Sequence, residues 1–369
     1  MSEDILLLDT DVETALRAAV RSLLAERCDP ASVLAAYAGD RSLTRALWKP
    51  ISTELGLAGL LIPENRGGAG GSARDAAVVL EELGRYVAPV PFLTSSVIAA
   101  TVLLAGDSEL VGELATGETT VALLAPFSAA TVDQIPALVK DGDGRLSGRI
   151  TSVAGALDAN VLLAAVQTPT GTEVHALETS LVTVEPVVSL DMTRPLADIT
   201  VDSVPGRVVV AAGAGLPALR TGLATGAALL ASEQAGVAGW CLDTTVEYLK
   251  VRRQFGRVVG GFQALKHRLA DLYVELESAR ATARYAAGAL ATEDPDAAVA
   301  TAVAAAYCGE IAVHAAEEAV QLHGGIGMTW EYPVHLYLKR AKADQIGLGS
   351  PAYHRSVLAE LVDLPLGRD

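Results

Sequence analysis

The feature that most constrains the fold of this chain is a change of texture near residue 118 and its reversal near residue 213. Between those points short β-branched runs follow one another: TTVALLAP, NVLLAAV, LVTVEPVVSL, ADITVDSV and RVVVAAG, each bounded by turn residues. Side chains branched at Cβ fit the pleated, half-buried surface of a sheet, so this spacing predicts a compact, mostly antiparallel β unit. Asp141-Gly142-Asp143-Gly144 is a hairpin-type turn signal inside it.

On both sides the pattern is helical. From Asp11 to about Leu110, TALRAAVRSLLAERC and DAAVVLEELGRYV repeat apolar positions at three and four. The intervening GLAGLLIPENRGGAGGS is a turn-rich loop, most simply a helix-helix connection. After Gly213 the helices are longer, and Phe262, Leu265, Leu269, Leu272, Leu276 and Ala279 make one apolar stripe with Lys266, His267 and Arg268 off it. The expected fold is mainly α with a central β domain. An N-terminal helical domain covers residues 1–112, an antiparallel β-barrel-like domain 113–212, and a C-terminal four-helix bundle 213–369.

Composition narrows the function classes. A hydrophobic content of 51% over 369 residues supplies a sizeable core. Apolar segments such as Ala99 to Ala105 and Ala297 to Ala306 are short or interrupted, which argues against a membrane span. The acidic start MSEDILLLDTDVE does not read as a secretory signal. A net charge of −16 disfavours nucleic-acid binding, which needs clustered cations to release counterions. Cys28, Cys241 and Cys308 have no metal-ligand spacing and suit reduced packing thiols in a cytoplasm.

Two stretches of the C-terminal half carry chemistry. In Val251 to His267, Arg252, Arg253, Arg257, Lys266 and His267 gather positive charge in an acidic chain, beside Phe255 and Gln263. Guanidinium forks bind phosphate oxygens and a flat ring stacks on a base, so the cluster suits a nucleotide diphosphate. A solvated helix end with dipole-favoured cations explains the same charges. The second stretch, Gln321 to Gly327, places Gly324, Gly325 and Gly327 after a helix. Such a bend brings peptide N–H groups to a phosphate or adenine, or merely ends one helix and opens the next.

Together, RRQFGRVVGGFQALKHRLAD, QLHGGIGMTWEYPVHLYLKRAKADQI and GLAGLLIPENRGGAGGS resemble, in order and spacing, three segments of the acyl-CoA dehydrogenase family, with Lys339 where the family has an Arg. The resemblance spans essentially the whole chain. It implies FAD-dependent α,β-dehydrogenation of acyl-CoA thioesters: a glutamate removes the α-proton and the β-hydrogen leaves as hydride to the flavin. It also implies a tetramer, in which the C-terminal bundle of one subunit contacts the ADP half of its neighbour's FAD, and electron-transfer flavoprotein as a possible partner. Carried over by position, Arg252 and Phe255 contact the pyrophosphate and adenine side, Gln263 the adenosine region, and Gln321, Gly324 and Gly325 the adenine end.

Two departures matter. The family's Tyr-Glu-Gly-Thr, which holds the catalytic Glu, is matched here by Gly347-Leu348-Gly349-Ser350, and Leu348 cannot accept a proton. The family's other Glu position, early in the first long C-terminal helix, falls near Gly226. No catalytic residue is therefore assigned. Glu233 and Glu247 lie too far along that helix to substitute, and solvent-facing or interface roles are expected for both. The segments that hold the flavin ring also differ: Thr-Glu-Pro-x-x-Gly-Ser is matched by LAPFSAATVDQ, and Trp-x-Thr/Ser by RITSVAG. The pattern resembles the base-lacking subunit of bacterial α2β2 heterotetramers that act on steroid-derived CoA thioesters. A self-sufficient homotetramer with an unrecognised base and a non-catalytic scaffold or CoA-ester binder are the alternatives.

Overall fold

The computed structural model describes residues 7–364, so the first residues of the acidic N-terminal stretch lie outside the described part. Helix α1 (Asp11–Arg27) starts at a reciprocal cap: Thr10 Oγ1 accepts the Glu13 N–H at 3.2 Å and the Glu13 carboxylate accepts the Thr10 N–H at 2.6 Å. After α2 (Pro30–Ala35) and α3 (Ser42–Lys49), the glycine-rich loop folds onto itself. Ala69, Gly70 and Gly71 donate to the Gly59, Ile62 and Leu60 carbonyls at 2.7–3.0 Å, so this loop's glycines serve a self-contained connection. Helix α4 (Ala73–Arg85), capped by Ser72, is followed by a π-helical segment Phe92–Ala99, α5 (Ala100–Leu103) and α6 (Leu110–Ala115).

The β unit contains eight strands: β1 (Val121–Leu123), β2 (Val139–Lys140), β3 (Arg145–Ala154), β4 (Val161–Thr168), β5 (Gly171–Glu178), β6 (Thr183–Val187), β7 (Leu196–Pro205) and β8 (Arg207–Val210). The expected barrel is not formed. The strands make two separate four-stranded sheets, β1-β4-β5-β8 and β2-β3-β7-β6, antiparallel except for the parallel pair β1–β4. Period-two alternation explains why β4 reads as an unbroken apolar run. Leu162, Ala164 and Val166 face the second sheet, while Val161, Leu163 and Ala165 face the helical core.

The C-terminal helices are α7 (Ala212–Val251), α8 (Gln263–Ala291), α9 (Ala297–His323), α10 (Val334–Ile346) and α11 (Pro351–Leu361). Three are long and two shorter, the latter both packed on α9. A segment from Ala297 to Met328 is, by length and a mean hydropathy of 1.4, apolar enough to cross a membrane. It lies against four other helices as the central element of the bundle, as an apolar core helix does. At the α4–α7 crossing, Gly84 and Gly236 let the two backbones touch: a Cβ at either would meet the Glu233 or Glu81 carbonyl. The sequence-based stripe on α8 is partly observed, since Leu272, Leu276 and Ala279 are buried while Phe262, Leu265 and Leu269 are half-buried.

Candidate functional site

Helix α7 stops at Arg252, whose backbone turns extended after its N–H donates to the Tyr248 carbonyl at 3.0 Å. The chain then makes a two-residue hairpin between β9 (Arg253–Gln254) and β10 (Arg257–Val258), which sequence reasoning missed. Phe255 and Gly256 form its tip with φ +52° and +74°. Positive φ at both central residues matches the twist of a tight hairpin, but it is strained for a phenylalanine. Phe255 is 89% exposed and meets Phe262 edge-on at 6.2 Å, while the Arg257 guanidinium sits 3.7 Å over the Phe262 ring.

The second stretch is brought alongside by stacking. His323, at the end of α9, stacks on Tyr248 at 4.4 Å and lies 4.7 Å from Tyr332. An Arg268–Glu318 ion pair at 2.6 Å ties the start of α8 to the same end of α9. Arg252, Phe255, Gln263, Gln321, Gly324 and Gly325 are all exposed on this end of the bundle. Arg252 has no ion-pair or hydrogen-bond partner for its guanidinium among the described residues. Gly324 needs its φ of +65°, whereas Gly325 has no conformational need for glycine and no chain atom near a would-be Cβ. An unpaired guanidinium and an open glycine turn at one end of the bundle have the chemistry to hold a nucleotide diphosphate.

The region that the resemblance aligns with the flavin ring and the catalytic Glu is closely packed. Leu348, at φ +54°, is only 3% exposed, and a Cβ added at Gly226 would lie 3.0 Å from its Cδ1. The two positions that the resemblance aligns with the family's Glu therefore face one another here, and both are apolar. A relay of backbone hydrogen bonds joins the departures: Phe127 N–H donates to the Ser152 carbonyl at 2.9 Å, and Leu348 N–H donates to the Phe127 carbonyl at 2.8 Å. The Phe127 ring fills the space a side chain at 347 would take, since a Cβ on Gly347 would lie 2.6 Å from it. What remains between Thr94, Ala125, Phe127, Ala154 and Leu348 is a cavity of about 20 Å³. That volume holds about one water, far below a flavin ring.

Behind this turn lies an ionic cluster that the sequence did not reveal. Glu233, expected at a surface or interface, is 1% exposed on α7. Its carboxylate takes Arg194 at 2.6 and 2.8 Å and Arg340 at 2.5 Å. Arg340 also pairs with Asp191 at 2.7 Å and donates to Thr193 Oγ1, while Arg194 reaches Asp344 Oδ1 at 2.5 Å. The buried cation of the KRA sequence is thus Arg340, and Lys339 instead sits over the Tyr37 and Trp330 rings at 4.4 and 3.9 Å. Burial opposes ionisation of Glu233, but the two guanidiniums outweigh it and hold its pKa below the ordinary value. Asp344 goes the other way: burial, with Glu233 nearby, pushes its pKa well up despite Arg194. Glu247 is exposed as expected and, among the described residues, pairs only with Lys250 at 2.6 Å. One signal for the cluster was present, because Glu233 and Gln234 interrupt a helix apolar on every side from Ala227 to Ala238.

Comparison with known proteins places this geometry. Residues 10–115 match the family description "Acyl-CoA dehydrogenase, N-terminal domain" and residues 213–362 match "Acyl-CoA dehydrogenase, C-terminal domain". The chain is 39% identical to acyl-CoA dehydrogenase IpdE2 of Mycobacterium tuberculosis, covering 94% of this chain and 95% of that protein. It is 37% identical to IpdE2 of Mycolicibacterium smegmatis, covering 91% and 94%. Among solved structures, the Tcur3481-Tcur3483 steroid ACAD variant is 30% identical with a TM-score of 0.83, covering 96% of this chain and 98% of that one. The ChsE4-ChsE5 complex of Mycobacterium tuberculosis is 26% identical with a TM-score of 0.86, covering 98% and 100%. The chain belongs to the acyl-CoA dehydrogenase family, whose members are FAD-dependent oxidoreductases.

Proposed function

We propose that this chain is the base-lacking subunit of a heteromeric acyl-CoA dehydrogenase, and that it completes the FAD site of a homologous partner which carries the catalytic Glu. The observation that carries this reading is the Ser152–Phe127–Leu348 relay, beside which a cavity of only about 20 Å³ remains, with Leu348 and Gly226 at the two aligned Glu positions. The opposite end of the bundle keeps an exposed, unpaired Arg252 and an open glycine turn. Two of the similar solved structures carry two chain names each, Tcur3481-Tcur3483 and ChsE4-ChsE5, which supports a two-chain assembly. The steroid ACAD among them supports a polycyclic acyl thioester as substrate.

In this assembly FAD supplies the hydride-accepting group, while the partner's carboxylate removes the α-proton. Arg252 neutralises pyrophosphate charge, Phe255 flanks the adenine, and Gln263, Gln321, Gly324 and Gly325 line the adenosine end. The domain limits 1–112, 113–212 and 213–369, a cytoplasmic location and electron-transfer flavoprotein as electron acceptor complete the proposal.

Purification from the native source tests it. The expected complex contains two homologous chains with FAD at half the total chain number, and this chain alone is inactive. Turnover with full flavin occupancy in the isolated chain would sink the reading and favour the homotetramer.

A further inference from the structure

One buried histidine joins the two stretches that meet at the end of the bundle. His323 is the last residue of α9, directly before Gly324 and Gly325, and is only 3% exposed. Its ring makes a triangle with two phenols, the centroids lying 4.4 Å from Tyr248, 4.7 Å from Tyr332 and 6.2 Å between the tyrosines. Tyr248 belongs to α7, and its carbonyl takes the Arg252 N–H at 3.0 Å. Tyr332 follows the glycine turn and precedes α10. The turn also folds back onto the histidine, since a Cβ on Gly327 would lie 2.6 Å from the Val320 carbonyl and 3.1 Å from His323 Cβ. The ring therefore holds the glycine turn and the end of α7 in register.

An apolar side chain could fill this space, so the hydrogen-bond state of the imidazole is what sets histidine apart. Nδ1 lies 2.7 Å from the Ala319 carbonyl, which only accepts, so Nδ1 carries the proton. Nε2 is then an acceptor, and it is buried with no hydrogen-bond partner among the described residues. A proton there would place a charged N–H where nothing accepts it. The packed elements supply no counter-charge: Tyr248 and Tyr332 are phenols, and burial raises the pKa of Tyr332. On α7, Glu247 is paired with Lys250, and the Arg268–Glu318 pair between α8 and α9 is closed on itself at 2.6 Å. On α10, His335 and Lys339 are engaged by the Trp330 ring. Burial lowers the His323 pKa, opposed only by the Ala319 carbonyl. The imidazole takes a second proton only when the cluster opens.

We propose that His323 is the positioning residue of the nucleotide end: as a neutral ring it latches the Gln321–Gly327 turn against Tyr248, and a proton taken up at Nε2 releases the turn and the nucleotide diphosphate with it. The proposal rests on the reading of this end as a contact for a partner's FAD, and His323 acts on that ligand through the turn. The closed turn binds one proton fewer than the open one, whose histidine has the ordinary pKa of about 6.5. The advantage of the closed form is therefore complete above that pH and is lost as pH falls below it. Between pH 7.5 and 5.5 the opening equilibrium should rise by up to about tenfold. A proton on His267, exposed on α8, would instead strengthen phosphate binding, so it cannot imitate this effect.

Hydrogen exchange in the FAD-free full chain tests the latch without the cofactor. Amides of residues 324–332 should lose protection by up to about tenfold between pH 7.5 and 5.5, after the intrinsic pH dependence of exchange is divided out. His323→Phe keeps a ring but takes no proton, and should abolish that change. His323→Asn, which retains an N–H for the Ala319 carbonyl, is a second non-titrating variant and should behave likewise. In the native assembly, FAD release followed by flavin fluorescence should accelerate by the same factor on acidification and stay flat in both variants. Protection with the same pH profile in the wild type and the variants overturns the latch. A latch that responds to pH while FAD release ignores both pH and His323 overturns the assignment of this turn to FAD, so the two failures are distinguishable.

Discussion

The two regions that the family resemblance aligns with its cofactor site are built in opposite ways in this chain. At Gly347–Gly349 the backbone is bonded inward, to Phe127 and His354, and the position of the base is packed among apolar side chains. At the ends of α7 and α9, Arg252, Phe255, Gln321 and Gly325 face outward and make few internal contacts. Mere loss of a function leaves voids and orphaned polar groups; here the inner end is repacked, with Phe127 filling what Gly347 vacates. The outer surface instead keeps an unpaired cation and a strained, exposed aromatic tip, the features on which the proposed FAD contact rests.

The comparison breaks most severely if the buried cluster behind the inner end is disturbed. Arg340→Met leaves Asp191 and Glu233 short of a counter-charge in the interior, which should lower stability by about 3–5 kcal/mol. Chemical denaturation of the native assembly measures this. A loss no larger than that of an exposed pair such as Lys250–Glu247 would show that the β unit and bundle are not locked through it.

Restoring the missing acid tests the inner end directly. Leu348→Glu places a carboxyl at a buried position, and should cost about 1–3 kcal/mol of stability. It should confer no dehydrogenation on the isolated chain, because the cavity beside Phe127 and Leu348 stays at about 20 Å³. Thioester oxidation above background by that variant alone would mean that the inner end lacks only its base.

The outer end is tested by Arg252→Ala. A charge-assisted hydrogen bond contributes about 1.5–3 kcal/mol, so the FAD affinity of the assembly should fall about 10- to 100-fold. The guanidinium has no partner within the chain, so the unfolding midpoint of the FAD-free protein should not move. FAD titration followed by fluorescence reads the first effect and calorimetry the second.

How much of this was legible in sequence depends on the range of the interactions. The strand β4 and the hairpin at Asp141–Gly144 are local patterns and were readable. Strand β3, RLSGRITSVA, was missed because its outward residues are polar and two register shifts break the alternation. Whether the strands close into a barrel depends on edge pairing, which alternation does not encode. The hairpin at Phe255 was hidden because its turn places a phenylalanine at positive φ, where glycine or asparagine would have announced it. The six proposed outer-site residues come from motifs, and the structure gathers the stretches that hold them at one end of the bundle through Tyr248 and His323. The inner cluster joins residues 191, 194, 233, 340 and 344, a set with no sequence period at all.

The smallest expected effect is the most specific about that cluster. Arg194 and Arg340 face Asp191, Glu233 and Asp344, so three buried acids meet two cations and one acid should carry a proton. Asp344 is that acid: it has one guanidinium contact, whereas Glu233 has two, and its pKa is raised while that of Glu233 is lowered. A raised folded-state pKa means that the folded chain keeps a proton the unfolded chain releases. The stability this supplies is complete below the ordinary Asp value and declines as pH rises toward the folded value. Asp344→Asn copies the protonated form without titrating. Its stability relative to the wild type should therefore increase by on the order of 1 kcal/mol as pH is raised from acid to mildly alkaline conditions. Comparing the two chains at each pH removes the common contributions of His323, His335 and His354, whose pKa values burial lowers in both. A variant that is less stable by the same amount at every pH would show Asp344 ionised throughout, and the inner end would then hold an uncompensated charge rather than a neutral, repacked wall.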